Sequence, residues 1–335
     1  MNILFIHDGS DLNAPLIAHR ELLAEHSMTL EPHVVANSEE AERSLSGLYD
    51  VVLINQTVCS AAIVDCGKPV IIFERLDGCQ LGGSRQWMSR VAGVIKSYRI
   101  RPAEWNNIYN GRIHAHVIAK AGMKAENTRA LPGMPLPQLS SRELQRIVLG
   151  YGFGAYSKVQ PLQHQFVDFA SDRDFAVHFA GCLEYAGTEI ELHRKRCHAV
   201  VQAWAKANPR KAVVGNGRTL SPLEYWRTMF ESRAVVSPWG WGESCHRDYE
   251  AILLGAILIK PTMDHVDCWP HIYEPDKTYI KCAVDFSDLP DIIERVNKEW
   301  TQWRSRREQV RTLVLHAMHP ARIIRTMAAA ISSLL

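Results

Sequence analysis
The sequence predicts an α/β protein made of two doubly wound domains, and three observations predict it. Short, wholly apolar runs recur along both halves of the chain, which is how a parallel strand covered on both faces reads. Helical stretches separate these runs, and strand, crossover and strand in repetition mean parallel sheets with right-handed connections. The length of 335 residues suits two cores better than one.

In the first half the apolar runs are Ile3–Ile6, Val51–Ile54, Val70–Phe73 and Val91–Ile95. A helical pattern over about Ala14 to Glu25 follows the first of them, with Leu16, Ile17, Leu22 and Leu23 on one side. Leu131-Pro-Gly-Met-Pro-Leu-Pro137 is neither helix nor central strand, because three prolines remove donors and fix φ. It opens a connection between domains. The second alternation comprises Phe175–Ala180, a helix over about Thr188 to Ala207, Ala212–Val214, a helix from Ser221, Ala234–Val236, a helix after Glu243, Ala256–Ile259 and Tyr279–Lys281. Ser221-Pro222 with Glu224 makes a strong helix start: serine as cap, proline at the first position, an acid on the positive end. From Leu289 onward the pattern is helical, with a break at Pro320. The expected domains are residues 1–150 and 151–315, followed by a terminal helix over 316–335.

Composition excludes several classes. The apolar fraction of 47% and charged fraction of 22% are those of an ordinary globular protein. A net charge of +2, from 38 basic and 36 acidic residues, gives no global case for nucleic acid or an anionic membrane. No apolar run approaches the roughly 20 residues of a membrane span, and the opening run is too short for a signal peptide. The eight cysteines are scattered with no Cys-x-x-Cys pair, which points to reduced thiols in a cytoplasm.

The chemistry concentrates in Ser237-Pro-Trp-Gly-Trp-Gly-Glu-Ser-Cys-His-Arg-Asp-Tyr-Glu250, followed by Ala251-Ile-Leu-Leu-Gly255-Ala-Ile-Leu-Ile-Lys260. It reads as a strand end, a glycine-bearing loop, a helix and another buried strand. Gly240 and Gly242 let the backbone turn and approach a ligand. With the helix starting near Glu243 or Ser244, its first amides are a docking place for phosphate. Arg247, one turn in, adds a cation with a bidentate fork. Glu250 lies on the same side, where a carboxylate suits the paired hydroxyls of a ribose.

These residues resemble the donor-binding region of nucleotide-sugar glycosyltransferases of the GT-B fold, group 1 type, with an exostosin-like flavour. Glu250-Ala-Ile-Leu-Leu-Gly255 matches the family's Glu-Ala-x-x-x-Gly ending, and Arg247-Asp-Tyr-Glu250 the Arg-x-x-Glu of the exostosin-like branch. The likeness weakens over Asp174 to His193, where Val177-His-Phe-Ala-Gly181 looks like the first donor-domain strand and its phosphate-facing loop. The resemblance implies two Rossmann-like domains facing across a cleft, with residues 316–335 crossing back to the first. It implies metal-independent transfer of a sugar from a nucleotide diphospho-sugar, as co-substrate rather than cofactor, to a glycan, lipid-linked, nucleobase or small-molecule acceptor hydroxyl. The retaining branch has seven residues between its two glutamates; here six separate Glu243 from Glu250. That leaves open whether Glu243 positions the sugar or caps the helix, and whether the reaction inverts or retains. Alternatives on the same scaffold are a non-catalytic nucleotide-sugar binder and a sugar-nucleotide 2-epimerase.

Weaker signals fill the rest of the site. In an open α/β sheet, ligands sit beyond the carboxyl ends of the strands, so His7-Asp8-Gly9 faces the ligand side. Asp8 there is a candidate acceptor base, or a turn residue. Arg75 and Asp77, just past another strand end, are candidate acceptor-side contacts. Arg194 reaches the diphosphate if its helix start points into the cleft, and otherwise lies on a solvated basic face. Lys260 is a further candidate for the phosphate. Asp172-Arg-Asp174 mimics a metal motif but precedes a strand instead of ending one, so no metal is expected. The tail with Trp300, Trp303, Arg304, Arg306, Arg307 and Arg311 reads as packing, with a peripheral membrane contact as the rival reading.

Overall fold
A computed structural model describes residues 1–74, 81, 83–101, 139–151, 159–185, 188–216 and 220–335. The connection at Leu131–Pro137 and the candidate contacts Arg75 and Asp77 lie outside them. The first sheet comprises β1 (Asn2–His7), β2 (Thr29–Val34), β3 (Val51–Asn55), β4 (Val70–Glu74), β5 (Gly93–Lys96) and β7 (Ile147–Leu149), all parallel in the order β2-β1-β3-β4-β5-β7. The second comprises β8 (Phe175–Gly181), β9 (Ala212–Asn216), β10 (Ser232–Val236), β11 (Ile257–Pro261) and β13 (Ile280–Cys282), parallel in the order β13-β11-β10-β8-β9. Both are doubly wound. In each the chain first adds a strand on one side and then crosses to the other. The second sheet therefore has its switch point between β8 and β10, where open α/β sheets hold ligands.

The apolar runs became strands because both faces are covered. Every residue of β3, β4 and β11 is buried. The strand β2 had no such signal: it carries Glu31, Pro32 and His33, and only Leu30 in it is buried. It lies at the sheet edge, where a proline costs no ladder bond. A small antiparallel ribbon joins the two halves, β6 (Tyr98–Ile100) against β12 (Val266–Cys268). Arg99 reinforces it with an ion pair to Asp267 at 3.1 Å.

Among the described residues the helices are α1 (Ala14–Ala18), α2 (Ser38–Arg43), α3 (Ala61–Val64) and α4 (Ser141–Gln145) in the first half. In the second they are α5 (Glu189–Ala207), α6 (Pro222–Phe230), α7 (His246–Leu253), α8 (Leu289–Lys298), α9 (Arg304–Ala317) and α10 (Pro320–Ser333). The long helix expected over Ala14 to Glu25 is two pieces. The backbone leaves the helical region at His19, and a 3-10 segment over Arg20–His26 continues. Ser221 caps α6 as expected, in a full capping box with Glu224. One apolar cluster runs from the first sheet through α10 to the α7 side of the second sheet. Another, with Phe179, Val201, Ile293 and Trp300, lies under α5 and α8. The helix α10 crosses back and packs on α1 and the 3-10 segment of the first domain. Among the described residues no helix is long and apolar enough to cross a membrane.

Trp300, Trp303, Arg307 and Arg311 of the basic, aromatic tail pack against the fold, while Arg304 and Arg306 are exposed. Trp300 and Trp303 are buried, and three guanidinium groups close the carboxyl end of α7. Arg311 donates to Leu253 O at 2.8 Å, Arg173 to Leu254 O at 3.2 Å and Arg307 to Gly255 O at 3.2 Å. They satisfy carbonyls that a helix end leaves unpaired and oppose its negative pole. Arg307 also stacks 3.6 Å from the Trp300 ring centre. Gly255 ends α7 with φ +74°, and a Cβ there would stand 2.6 Å from Val167 Cγ1. Gly255→Ala is therefore expected to cost about 1–3 kcal/mol, measured as a lower urea midpoint with unchanged slope.

Candidate functional site
Beyond the switch point of the second sheet lies a cavity of about 670 Å³, within the roughly 300–1,000 Å³ typical of small-molecule sites. Gly181 at the end of β8, the loop Gly240–Gly242 after β10, Ser244, Arg247 and Glu250 all line it, as does Arg194 from α5. So does Tyr98 of the first domain, which makes the cavity part of the cleft between domains.

Two arginines dominate the floor. Arg194 is 5% exposed and Arg247 7%, and neither has an ion-pair partner among the described residues. Arg247 Nε donates to Tyr225 OH at 3.1 Å, and Arg194 donates to Tyr185 OH. Arg247 Nη1 and Arg194 Nε are buried without any hydrogen-bond partner. Both guanidinium groups converge on Gly181, where an added Cβ would run into Arg247 Nη2 and stand 3.1 Å from Arg194 Nη2. A side chain at this position would push the two guanidinium groups from where they sit. Burial, and next the charge of Arg247, lower the pKa of Arg194. Beneath them His178 is fully buried, its ring 5.4 Å from that of Tyr225. Burial, then Arg247, pushes its pKa down to about 3, so it is neutral at physiological pH. Burial works against the Arg247 charge, but Tyr225, Cys245 and Glu250 outweigh it and raise its pKa; two buried like charges beside this one carboxylate leave room for a further anion.

Glu250 stands at one end of this floor. It accepts from Trp226 Nε1 at 3.0 Å and from Tyr225 OH at 3.3 Å. A carboxylate has acceptor capacity for more, and the group lines the cavity.

Several expectations need correction. The helix starts not at Glu243 or Ser244 but at His246, with Cys245 as its cap residue. The reason is Asp248, whose carboxylate folds back onto the Cys245 amide at 3.1 Å. Asp248 also accepts from Ser237 Oγ at 2.5 Å and Tyr273 OH at 2.6 Å, and pairs with Lys260 at 3.2 Å. Lys260 is therefore fully buried in an internal ion pair and does not line the cavity. Glu243 is 1% exposed, 3.8 Å from His265 Nε2, and also lies outside the lining. Gly240 and Gly242 do not take left-handed φ, and a Cβ at Gly240 would meet only ordinary contacts, the nearest Arg194 Nη1 at 3.6 Å. Ser244 lines the cavity and bonds Tyr273 OH at 2.5 Å.

Asp8 is held in a polar turn at the switch point of the first sheet. It accepts from Thr57 Oγ1 at 2.7 Å and from the Ser10 amide at 3.1 Å, and is not part of the cavity lining. Asp172 serves an ion pair with Arg233 at 2.6 Å.

Sequence reading missed the aromatic residues. Tyr185, Tyr225, Trp226 and Trp241 all line the cavity. Tyr225 and Trp226 had a signal: they lie in the first turns of the helix that Ser221 caps, directly before the strand that leads into the main motif. Tyr185 had none beyond lying a few residues past a strand end.

Fold and site together define a two-domain α/β protein with two doubly wound parallel sheets and a cavity floored by two arginines on its second domain. No protein-family model and no curated protein matches the sequence. Among solved structures the chain is similar to a GtfA/B complex, at 10% identity and TM-score 0.48, over 89% of this chain and 60% of that one. The chain thus spans 60% of the length of that relative. It is also similar to an α1,3-fucosyltransferase with GDP-fucose, at 10% identity and TM-score 0.43, over 99% and 89% of the two chains. A third is MurG of Acinetobacter baumannii, at 9% identity and TM-score 0.39, over 99% of each.

Proposed function
We propose that the chain is a glycosyltransferase that moves a sugar from a nucleotide diphospho-sugar to an acceptor hydroxyl without a metal ion. The observation that carries this reading is the pair of buried guanidinium groups of Arg194 and Arg247 on the cavity floor, neither in an ion pair among the described residues and each with a nitrogen that has no hydrogen-bond partner there. A diphosphate supplies the missing negative charge. Glu250, at the Tyr225 end, takes the ribose hydroxyls. When the sugar–diphosphate bond breaks, the electron pair stays with the departing phosphate and positive charge develops at the anomeric carbon. Preorganised donors facing that phosphate lower the barrier, because they need no reorganisation at the moment of reaction. Two arginines do here what a divalent cation does elsewhere. Asp8 remains the candidate to accept the acceptor proton in an inverting reaction, its carboxylate oriented by Thr57 and Ser10. Glu243, buried beside His265, would support the loop that carries Gly240 and Gly242. The seven described cysteines are all free, and we assign the protein to a reducing compartment.

The test is a thermal-shift panel of nucleoside diphosphates, nucleotide sugars and inorganic pyrophosphate. One nucleoside diphosphate family should raise Tm selectively, as any ligand of the native state does. No shift from any of them in folded protein would end the proposal. Glu250→Ala should weaken that nucleoside diphosphate roughly tenfold, the ~1–2 kcal/mol of its lost hydrogen bonds, and leave pyrophosphate binding nearly unchanged. Equal weakening of both would remove the ribose assignment.

A further inference from the structure
Ser244 lines the cavity, and its buried neighbours decide where its one hydroxyl proton goes. Its Oγ lies 2.5 Å from Tyr273 OH. Tyr273 is fully buried, and its hydroxyl lies 2.6 Å from Asp248 Oδ2. Asp248 in turn pairs with Lys260 at 3.2 Å, both wholly out of solvent.

The buried end of this network sets the direction of every bond in it. Burial opposes ionisation of Asp248, but Lys260 and the hydroxyls of Ser237 and Tyr273 outweigh it and lower its pKa. An ionised carboxylate only accepts. Burial holds the Tyr273 phenol well above its ordinary pKa, so it keeps its proton and gives it to Asp248. Two hydroxyl oxygens 2.5 Å apart have a proton between them. The phenol has none left, so Ser244 supplies it. What remains on Ser244 Oγ is its two lone pairs. Tyr249 OH also bonds Ser244 and takes at most one of them.

A group with only lone pairs to offer does not suit a phosphate, whose oxygens also accept. It suits a hydroxyl, which can donate. Ser244, Arg247 and Glu250 follow one another at intervals of three residues and all line the cavity. On the donor reading above, Glu250 holds the ribose and Arg247 the diphosphate, which leaves Ser244 on the side away from the ribose. The transferred sugar belongs there.

Resting on that reading, we infer that Ser244 is a specificity-determining residue: it accepts a hydrogen bond from one hydroxyl of the donor sugar, with Tyr273 as the positioning residue that holds its proton. A sugar without that hydroxyl leaves a buried acceptor unsatisfied, which is how a site built around a hydrogen bond rejects a near neighbour of its substrate.

The experiment uses isothermal titration calorimetry on the whole chain. The probe is whichever of UDP-glucose, UDP-N-acetylglucosamine, GDP-mannose and dTDP-glucose gives the largest thermal shift, with its own nucleoside diphosphate and its monodeoxyfluoro analogues. Fluorine in place of a hydroxyl removes the donated proton and keeps the size of the group. In wild type one fluoro analogue should bind about tenfold more weakly than its parent, and in Ser244→Ala that penalty should fall to about twofold or less. Nucleoside diphosphate affinity should stay within about threefold in Ser244→Ala, which circular dichroism confirms to be folded. Tyr273→Phe leaves the Ser244 proton without its acceptor and should shrink the same penalty. Fluoro analogues that all bind wild type like the parent would overturn the inference and leave the donor reading standing. So would a penalty that survives in Ser244→Ala or in folded Tyr273→Phe. Equal weakening of nucleoside diphosphate and nucleotide sugar by Ser244→Ala would make the hydroxyl a phosphate donor and overturn it too. Failure of every nucleoside diphosphate to bind would remove the donor reading and this role of Ser244 with it.

Discussion
Arg247→Ala is expected to raise the dissociation constant for the preferred nucleoside diphosphate by roughly 30- to 3,000-fold, the ~2–5 kcal/mol of a buried charge-assisted contact. Isothermal titration calorimetry reads it directly. Arg247→Lys should fall between, because it keeps the charge and loses the planar fork. In the free protein burial and then repulsion by Arg247 lower the Arg194 pKa, while Tyr225, Cys245 and Glu250 outweigh burial and raise that of Arg247. The variant is therefore compared with wild type by circular dichroism to confirm that it folds. Unchanged nucleotide affinity would remove Arg247 from the site.

Asp248→Ala is expected to do the reverse: to damage the fold. Asp248 and Lys260 are both fully buried, and removing one leaves the other charged and alone, at a cost of about 3–5 kcal/mol. The capping contact on Cys245 goes with it. Urea unfolding at neutral pH should show the loss, and Asp248→Ala combined with Lys260→Met should recover most of it. A double variant no better than the single one would mean that the unpaired ammonium is not the cause. The carboxyl pKa is lowered in the fold. Burial works against ionisation, but Lys260 and then the hydroxyls of Ser237 and Tyr273 outweigh it. A depressed folded value means that the unfolded chain binds the proton more readily, so stability from this group is present above the unfolded pKa of about 3.9. It is lost as pH falls through the lower folded value. Asp264 and Asp172 are lowered too, so Asp248→Ala should keep an acid-dependent fall, but a smaller one than wild type.

Much of the fold was legible because a buried parallel strand must be apolar on both faces. That held for β1, β3, β4, β8, β10 and β11. It could not reveal β2, whose polar residues are tolerated only because it has a neighbour on one side. Nor could it reveal β6 and β12, three residues each, which exist only as each other's partner. In the site, the glycine loop, Arg247 and Glu250 were legible because they are close in sequence and share a helix. Tyr185, Tyr225 and Tyr98 reach the same cavity from distant segments, and no spacing in the chain records that.

By itself the sequence determined two parallel sheets, the helix start at Ser221, the break at Pro320, and the placing of Arg247 and Glu250 on one helix. These follow from local periodicity and capping, which act within a few residues. Only the tertiary structure decided which charged residues face the ligand. Arg194 turned into the cavity, while Lys260 turned away because Asp248 was there to neutralise it. Glu243 was drawn inward to His265. A buried charge goes where its counter-charge is, and that partner comes from elsewhere in the folded chain.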